Sequence, residues 1–373
     1  MIPIFRPSVG QEELDAIAET FKSGWIGLGP KTKEFEEAFA KYIGTKYALG
    51  MNSATAALHL ALAAHNITSG EVIVPTLTFV STAHAAKYNN ADVVFADADP
   101  ETLCINIEDI KKKITPNTKA ILPVHLAGHP CDMDLINEIA EEKDIIVIED
   151  AANATGAKYK GKRCGALAKA GCFSFHAIKN MTTGEGGMVT TDDEDIYKRL
   201  MRLRWVGINK DTWARQYTDA NYSWYYEVTE LGWKYHLSDI PASMGLVQLK
   251  KCDALNQARR NIVKQYNESF KDLDWIKVPV EQGDIEHAYW LYSMRVPAKK
   301  RNDLVAHLAK NEIASSVHFM PVHLHPYYKS LGTADVPIAE REWQRMITLP
   351  LFPSMTQEEI ATVIKTVKSF DPD

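Results

Sequence analysis

The sequence predicts an α/β fold: a large domain with a mostly parallel sheet of about seven strands flanked by helices, then a smaller C-terminal α+β domain. Three observations carry this. Short apolar runs alternate with helical stretches between residues 47 and 203. Several of those runs are unbroken β-branched segments, as strands buried on both faces require. The pattern then changes after residue 236. The domain boundary is placed at residue 240, giving 1–240 and 241–373, and 373 residues are enough for two cores.

Taken in order, residues 10 to 42 read as two helices around a glycine-rich break (Gly24, Gly27, Gly29), with Phe35, Phe39 and Tyr42 on one face of the second. Strands are expected at Tyr47–Met51, Val72–Val74, Val93–Phe95, Ala120–Val124, Ile145–Ile148, Cys172–Phe175 and Met188–Thr191. Helices are expected near 54–65, 79–89, 132–142 and 194–203, the βαβ rhythm of a parallel sheet between helical layers. Ser238-Asp239-Ile240-Pro241 is a helix start, with a capping side chain and proline in the first turn. Apolar recurrences from 240 to 270 predict one long helix or a kinked pair. Strands at Tyr289–Val296 and Ser315–Phe319 and helices near 301–310 and 356–369 complete the smaller domain.

Composition excludes several function classes. Apolar residues make up 46% and charged residues 24%, ordinary for a globular enzyme. A formal charge of −6 and the lack of basic runs give nucleic-acid binding no electrostatic support. The five cysteines are odd in number and widely spaced, which argues against a disulfide framework or a thiolate zinc site. No apolar run approaches the ~18 residues of a membrane span, and the first residues do not read as a signal peptide, so a cytoplasmic location is expected.

Ligands of parallel sheets sit beyond the carboxyl ends of the strands, which draws attention to Asn52-Ser53, Pro75-Thr76, His125 and Asp150. The segment 171–190 adds Lys179, five residues after Ser174 and just before the glycine-rich Thr183-Gly184-Glu185-Gly186-Gly187. A lysine so placed is partly desolvated, which lowers its pKa and frees the amine as a nucleophile toward carbonyls. Asp150 ends a buried strand and reads as an N-cap, a metal ligand or the partner of a buried cation. The metal reading lacks a phosphate-binding loop and neighbouring ligands. A remaining use is an ion pair with a protonated heterocyclic nitrogen, which pyridoxal phosphate (PLP) offers while a lysine holds its aldehyde. Asn52-Ser53-Ala54-Thr55 turns from a strand into a helix of small residues, aiming free N–H groups at an anion such as phosphate. Ser174 could reach the same phosphate, and Phe79 could stack on the pyridine ring; both also read as ordinary cap and core residues. Phosphate helix, aromatic, strand-end Asp and then Lys is the order of the aspartate-aminotransferase, or fold type I, PLP enzymes.

On these residues the chain resembles the DegT/StrS-type nucleotide-sugar aminotransferases. The matching stretches are Gly29-Pro30, Asn52 to Leu62, Val74 to Phe79, Glu149-Asp150-Ala151-Ala152, Ser174 to Asn180 with Thr183 to Gly187, Gly232 to Tyr235, Ser238-Asp239 and Leu349 to Pro353. The resemblance implies Lys179 as Schiff-base lysine and general acid/base and Asp150 as pyridinium partner. It also implies Ala54, Thr55 and Ser174 at the phosphate and Phe79 on the ring. Asn153 stands where the family often has His or Gln. Lys234 stands where it often has the Asn that reaches the neighbouring subunit's cofactor phosphate.

The activity so implied moves an amino group from glutamate to a keto group of a nucleotide-linked deoxysugar, with 2-oxoglutarate released and the cofactor passing through its pyridoxamine form. C4 is favoured over C3 and UDP or dTDP as the nucleotide, in a homodimer with shared active sites, for amino-sugar and polysaccharide (O-antigen, lipopolysaccharide) biosynthesis. Alternatives are a dehydratase or amino-acid aminotransferase on the same scaffold, or a non-catalytic sensing homologue. The aromatic segment 204–236, including Trp205, Trp213, Tyr217, Tyr222 and Trp224, reads either as a dimer-closing wall of the sugar site or as a local core. In Val317–Pro326, His318 and His323 are expected to face the substrate, with His323 the better candidate; no metal is expected.

Overall fold

The computed structural model describes residues 1–209 and 225–371. Trp213, Tyr217, Tyr222 and Trp224 therefore lie outside the described residues. Two amino-terminal helices, α1 (Gln11–Lys22) and α2 (Pro30–Ile43), precede the sheet. All seven expected strands form, within a residue or three of their expected ends: β1 (Tyr47–Met51), β2 (Glu71–Pro75), β3 (Asp92–Ala96), β4 (Thr118–Ile121), β5 (Ile146–Asp150), β6 (Ala170–Ser174) and β7 (Gly187–Thr191). They make one sheet in the order β1-β7-β6-β5-β4-β2-β3. Only β7 runs against the rest, pairing antiparallel with both β1 and β6. The amino end of β7 therefore lies at the edge where the other strands end: Gly187 is level with Met51 on one side and Ser174 on the other.

Helices α3 (Ala54–Ala64), α4 (Ser81–Tyr88), α5 (Ile107–Lys113), α6 (Met133–Glu142) and α7 (Glu194–Leu203) follow the strands. Helix α3 is buried along nearly its whole length, which is why its sequence is alanine and leucine rather than amphipathic. Helix α5 was not expected; Asn106 caps it by accepting the Asp109 N–H.

The long-helix reading holds without a kink, as α8 (Asp239–Phe270). Its first residue has a second task. The Asp239 carboxylate accepts the N–H groups of Gly29, Lys31 and Thr32 and the Thr32 hydroxyl at 2.7–3.0 Å, so it caps α2 from a distant part of the chain. A second core gathers the end of α8, α9 (Arg301–Lys310), α10 (Gln357–Lys368) and a two-stranded sheet, β8 (Tyr292–Arg295) with β9 (Met346–Leu349). Here one expectation is corrected. Residues 315–319 form no strand; Ser316 makes a single bridge to Thr348, on the edge of β9 away from β8. Among the described residues no helix is long and apolar enough to cross a membrane.

Candidate active site

A cavity of about 370 Å³ opens where the strands end, and Ala54, Thr55, Phe79, Asp150, Asn153, Ser174, Lys179 and His318 all lie on its wall. These come from the start of α3, the β2–α4 connection, the ends of β5 and β6, and the segment before β9.

Asp150 ends β5 and is 4% exposed. Its Oδ2 accepts the Thr82 hydroxyl at 2.7 Å and its Oδ1 the Ala152 N–H at 3.1 Å. Burial pushes its pKa up; the two hydrogen bonds and the Lys179 charge pull the other way. No cation forms a salt bridge with it among the described residues, so a buried carboxylate faces the cavity held only by neutral donors and a more distant charge. Lys179 follows the end of β6. Desolvation brings its amine down to about 7, against the opposing pull of Asp150. The amine lies 3.5 Å from the ring centre of Trp290, whose indole N–H donates to the Ile178 carbonyl at 2.9 Å.

At the other end of the cavity, Ser53 caps α3 by accepting the Ala56 N–H. Ala54 and Thr55 occupy the first turn, where N–H groups have no carbonyl one turn back, and the Thr55 hydroxyl meets that of Ser81 at 2.7 Å. Gly187 lets β7 lie against this turn: a Cβ there would come within 2.4 Å of the Ser53 carbonyl and 2.7 Å of the Ala54 nitrogen. Phe79 is 59% exposed, an unusual state for a phenylalanine, and its side faces the cavity opposite Phe319. His318 bonds Thr348 through Nδ1, and burial together with the Lys179 charge lowers its pKa to about 4, so it is neutral.

These residues suit PLP: an anion-accepting helix start, an aromatic face, an acid short of a counter-cation and a desolvated amine line one space of the right size. Asn153 is buried on the same wall.

Three expected residues do not join them. His323 is buried, with Nδ1 bonded to Thr76 at 2.7 Å and Nε2 to Glu340 at 3.0 Å, so it ties the chain together rather than facing substrate. Trp205 packs against His236 and lines a different hollow, with Lys198, Arg202 and Arg204. The Lys234 amine rests on the Trp205 ring at 3.1 Å, away from this chain's own cavity wall. Conversely, Thr82 and Trp290 were not singled out by sequence. Trp290 sits in an apolar run that reads as core, and its contact with Lys179 joins residues far apart in the chain.

Beneath the site, Glu149 accepts N–H groups of Gly165, Leu167 and Ala168 and the Nε2–H of His125 at 2.9 Å. His125 Nδ1 accepts the Cys131 N–H, which places the ring proton on Nε2. Glu149, His125 and Cys164 bring ligand atoms within 4.8 Å of one another. The imidazole and carboxylate lone pairs are already engaged, so the group reads as a brace for β5, not a metal centre.

The chain matches the DegT/DnrJ/EryC1/StrS aminotransferase family over residues 7–368. It is 42% identical to the spore coat polysaccharide biosynthesis protein SpsC of Bacillus subtilis, over 98% of this chain and 96% of that protein. The structure of Spr1654 from Streptococcus pneumoniae in its PMP form superposes with a TM-score of 0.94 at 35% identity, covering 99% of this chain and 98% of that one. The sugar aminotransferase CalS13 from Micromonospora echinospora gives 0.91 at 31% identity, covering 99% and 100%. The chain belongs to the DegT/DnrJ/EryC1/StrS aminotransferase family, and it is a PLP-dependent sugar aminotransferase.

Proposed function

We propose that the enzyme aminates a keto carbon, C4 in preference to C3, of a nucleotide-linked deoxysugar, with glutamate as donor. The observation that carries the amino transfer is the pairing, on one cavity wall, of a lysine whose amine is brought down to about 7 with a buried carboxylate lacking a bound cation; the family likeness supports the sugar as acceptor. Bound PLP supplies an aldehyde to carry the amino group and a ring to take up electrons released at the reacting carbon. In this reading Lys179 Nζ holds the cofactor and, once free, takes a proton from one carbon and returns it to another; a pKa near the working pH serves both directions. The Asp150 carboxylate keeps the ring nitrogen protonated, with Thr82 and the Ala152 N–H holding it ionised. The N–H groups of Ala54 and Thr55 and the Ser174 hydroxyl receive the phosphate. Phe79 covers the ring, with Asn153 beside it, and neutral His318 faces the sugar.

A homodimer with shared sites belongs to the same reading. It is supported by the exposed apolar side chains of Val228 (64%) and Leu231 (83%), close to Lys234, which lies off its own cavity wall. Lys234 then serves the neighbouring subunit's phosphate as a point charge. The amino-sugar product suits polysaccharide synthesis, as the likeness to SpsC suggests, and UDP and dTDP are the favoured carriers, in the cytoplasm. The test is a panel of UDP- and dTDP-linked 3-keto and 4-keto sugars against free keto acids, following 2-oxoglutarate release from glutamate. Turnover confined to 4-keto nucleotide sugars supports the proposal; turnover of free keto acids alone overturns it.

A further inference from the structure

Trp290 is 2% exposed and fixed on several sides. Phe5 stacks on it at 5.8 Å between centroids and 10° between planes, Phe319 at 6.1 Å and 24°, and His318 meets it edge-on at 5.8 Å. Its N–H is committed to the carbonyl of Ile178, the residue before the lysine. An indole held this firmly keeps its π face against Nζ of Lys179, 3.5 Å from the ring centre.

We propose that Trp290 is a positioning residue for the amination: its π face is the seat of the Lys179 amine whenever that amine is not bonded to cofactor, and it favours the ammonium form there. The inference rests on Lys179 being the cofactor lysine. An indole face carries negative electrostatic potential and attracts a cation. Burial acts in the opposite sense and brings the amine to about 7. The other groups facing it are Asp150 from β5, neutral His318 from the segment before β9, and His176 with Glu185, which pair at 3.6 Å where β6 leads into β7. The ring and the Asp150 carboxylate thus both favour the charged amine, against burial. Without it, burial would hold the amine deprotonated to lower pH, leaving it a weaker base for taking a proton and less able to stay protonated long enough to return one.

The test replaces tryptophan biosynthetically with mono-, di- and trifluorotryptophan in the full chain, which drains the π face of charge while keeping its shape. The Lys179 pKa is read in cofactor-free protein from the pH dependence of its acetylation, followed by mass spectrometry. It should fall stepwise with fluorine count, by about one unit in all. The chain has 8 tryptophans, so the series is repeated in Trp290→Phe, where the slope should vanish. Trp290→Leu should titrate below Trp290→Phe; if Leu unfolds the chain, the fluorinated series decides alone. A pKa indifferent to fluorine, or an equal slope in Trp290→Phe, overturns the proposal. Borohydride reduction of the PLP-loaded parent with peptide mapping separately shows whether Lys179 is the cofactor lysine, so the two readings fail independently.

Discussion

The Thr82 hydroxyl donates to Asp150 Oδ2 at 2.7 Å and meets the Thr78 hydroxyl at 2.8 Å. This short relay from the start of α4 to the end of β5 helps keep ionised a carboxylate that burial drives toward neutrality. Thr82→Val should weaken PLP binding roughly tenfold, the cost of losing one hydrogen bond to a charged group. Thr82→Ser should preserve binding. Cofactor titration by absorbance distinguishes them.

Asp150→Asn should separate stability from activity. The folded-state pKa of Asp150 is raised, so the native protein holds this proton where the unfolded chain has lost it. The group's favourable contribution is full below the ordinary carboxylate range and is lost as pH rises through the folded value. Once pH has passed the folded value the buried anion is a cost, and there Asp150→Asn should stabilise the cofactor-free protein in urea melts. Turnover should fall roughly a hundredfold or more.

The buried amine gives the opposite slope. Lys179 titrates near 7 in the folded chain against an ordinary 10.5. Below pH 7 both states carry the proton and the burial cost is fully present. Between the two values only the unfolded chain carries it, so stability of the cofactor-free protein should rise with pH by up to ~1.4 kcal/mol per unit. Lys179→Met should abolish that rise and cut turnover by at least ~10²-fold.

Gly187→Ala would drive a methyl group into the Ser53 carbonyl and the Ala54 nitrogen. Either β7 or the first turn of α3 must move, at a cost of about 1–3 kcal/mol. Phosphate-dependent binding should suffer beyond the stability loss: affinity for PLP should drop more than affinity for pyridoxal, measured side by side.

The two histidines should part company. His323→Ala leaves Thr76 without its partner in a buried setting and should cost about 1–3 kcal/mol in thermal melts, with KM for the sugar little changed. His318→Ala likewise strips the buried Thr348 hydroxyl of its partner and should cost about the same 1–3 kcal/mol, but it alone should raise KM. A raised KM for His323→Ala with an unchanged KM for His318→Ala would reverse these assignments.

The sheet was legible because several of its strands, β2, β3 and β5 above all, carry unbroken Val and Ile runs, and Lys179 and Asp150 because strand ends are where a parallel sheet exposes chemistry. Contacts across the fold were not. Nothing local marks Thr82 as the donor to Asp150, and the apolar run around Trp290 conceals an indole aimed at an amine. His323, expected at the substrate from the family resemblance, has both ring nitrogens taken by Thr76 and Glu340, contacts that no local pattern announces. The strand expected at 315–319 is reduced to one bridge: Ser316 exchanges both backbone hydrogen bonds with Thr348, and the pairing goes no further.

The carboxylate of Asp239 has a consequence for how the protein is made. Helix α2 is finished by a side chain 210 residues further along than Gly29. A ribosome that has delivered α2 has not yet translated its cap, and strand β1 likewise waits for β7. The amino-terminal segment therefore cannot be completed until the long helix emerges and brings its own first turn to the chain's beginning.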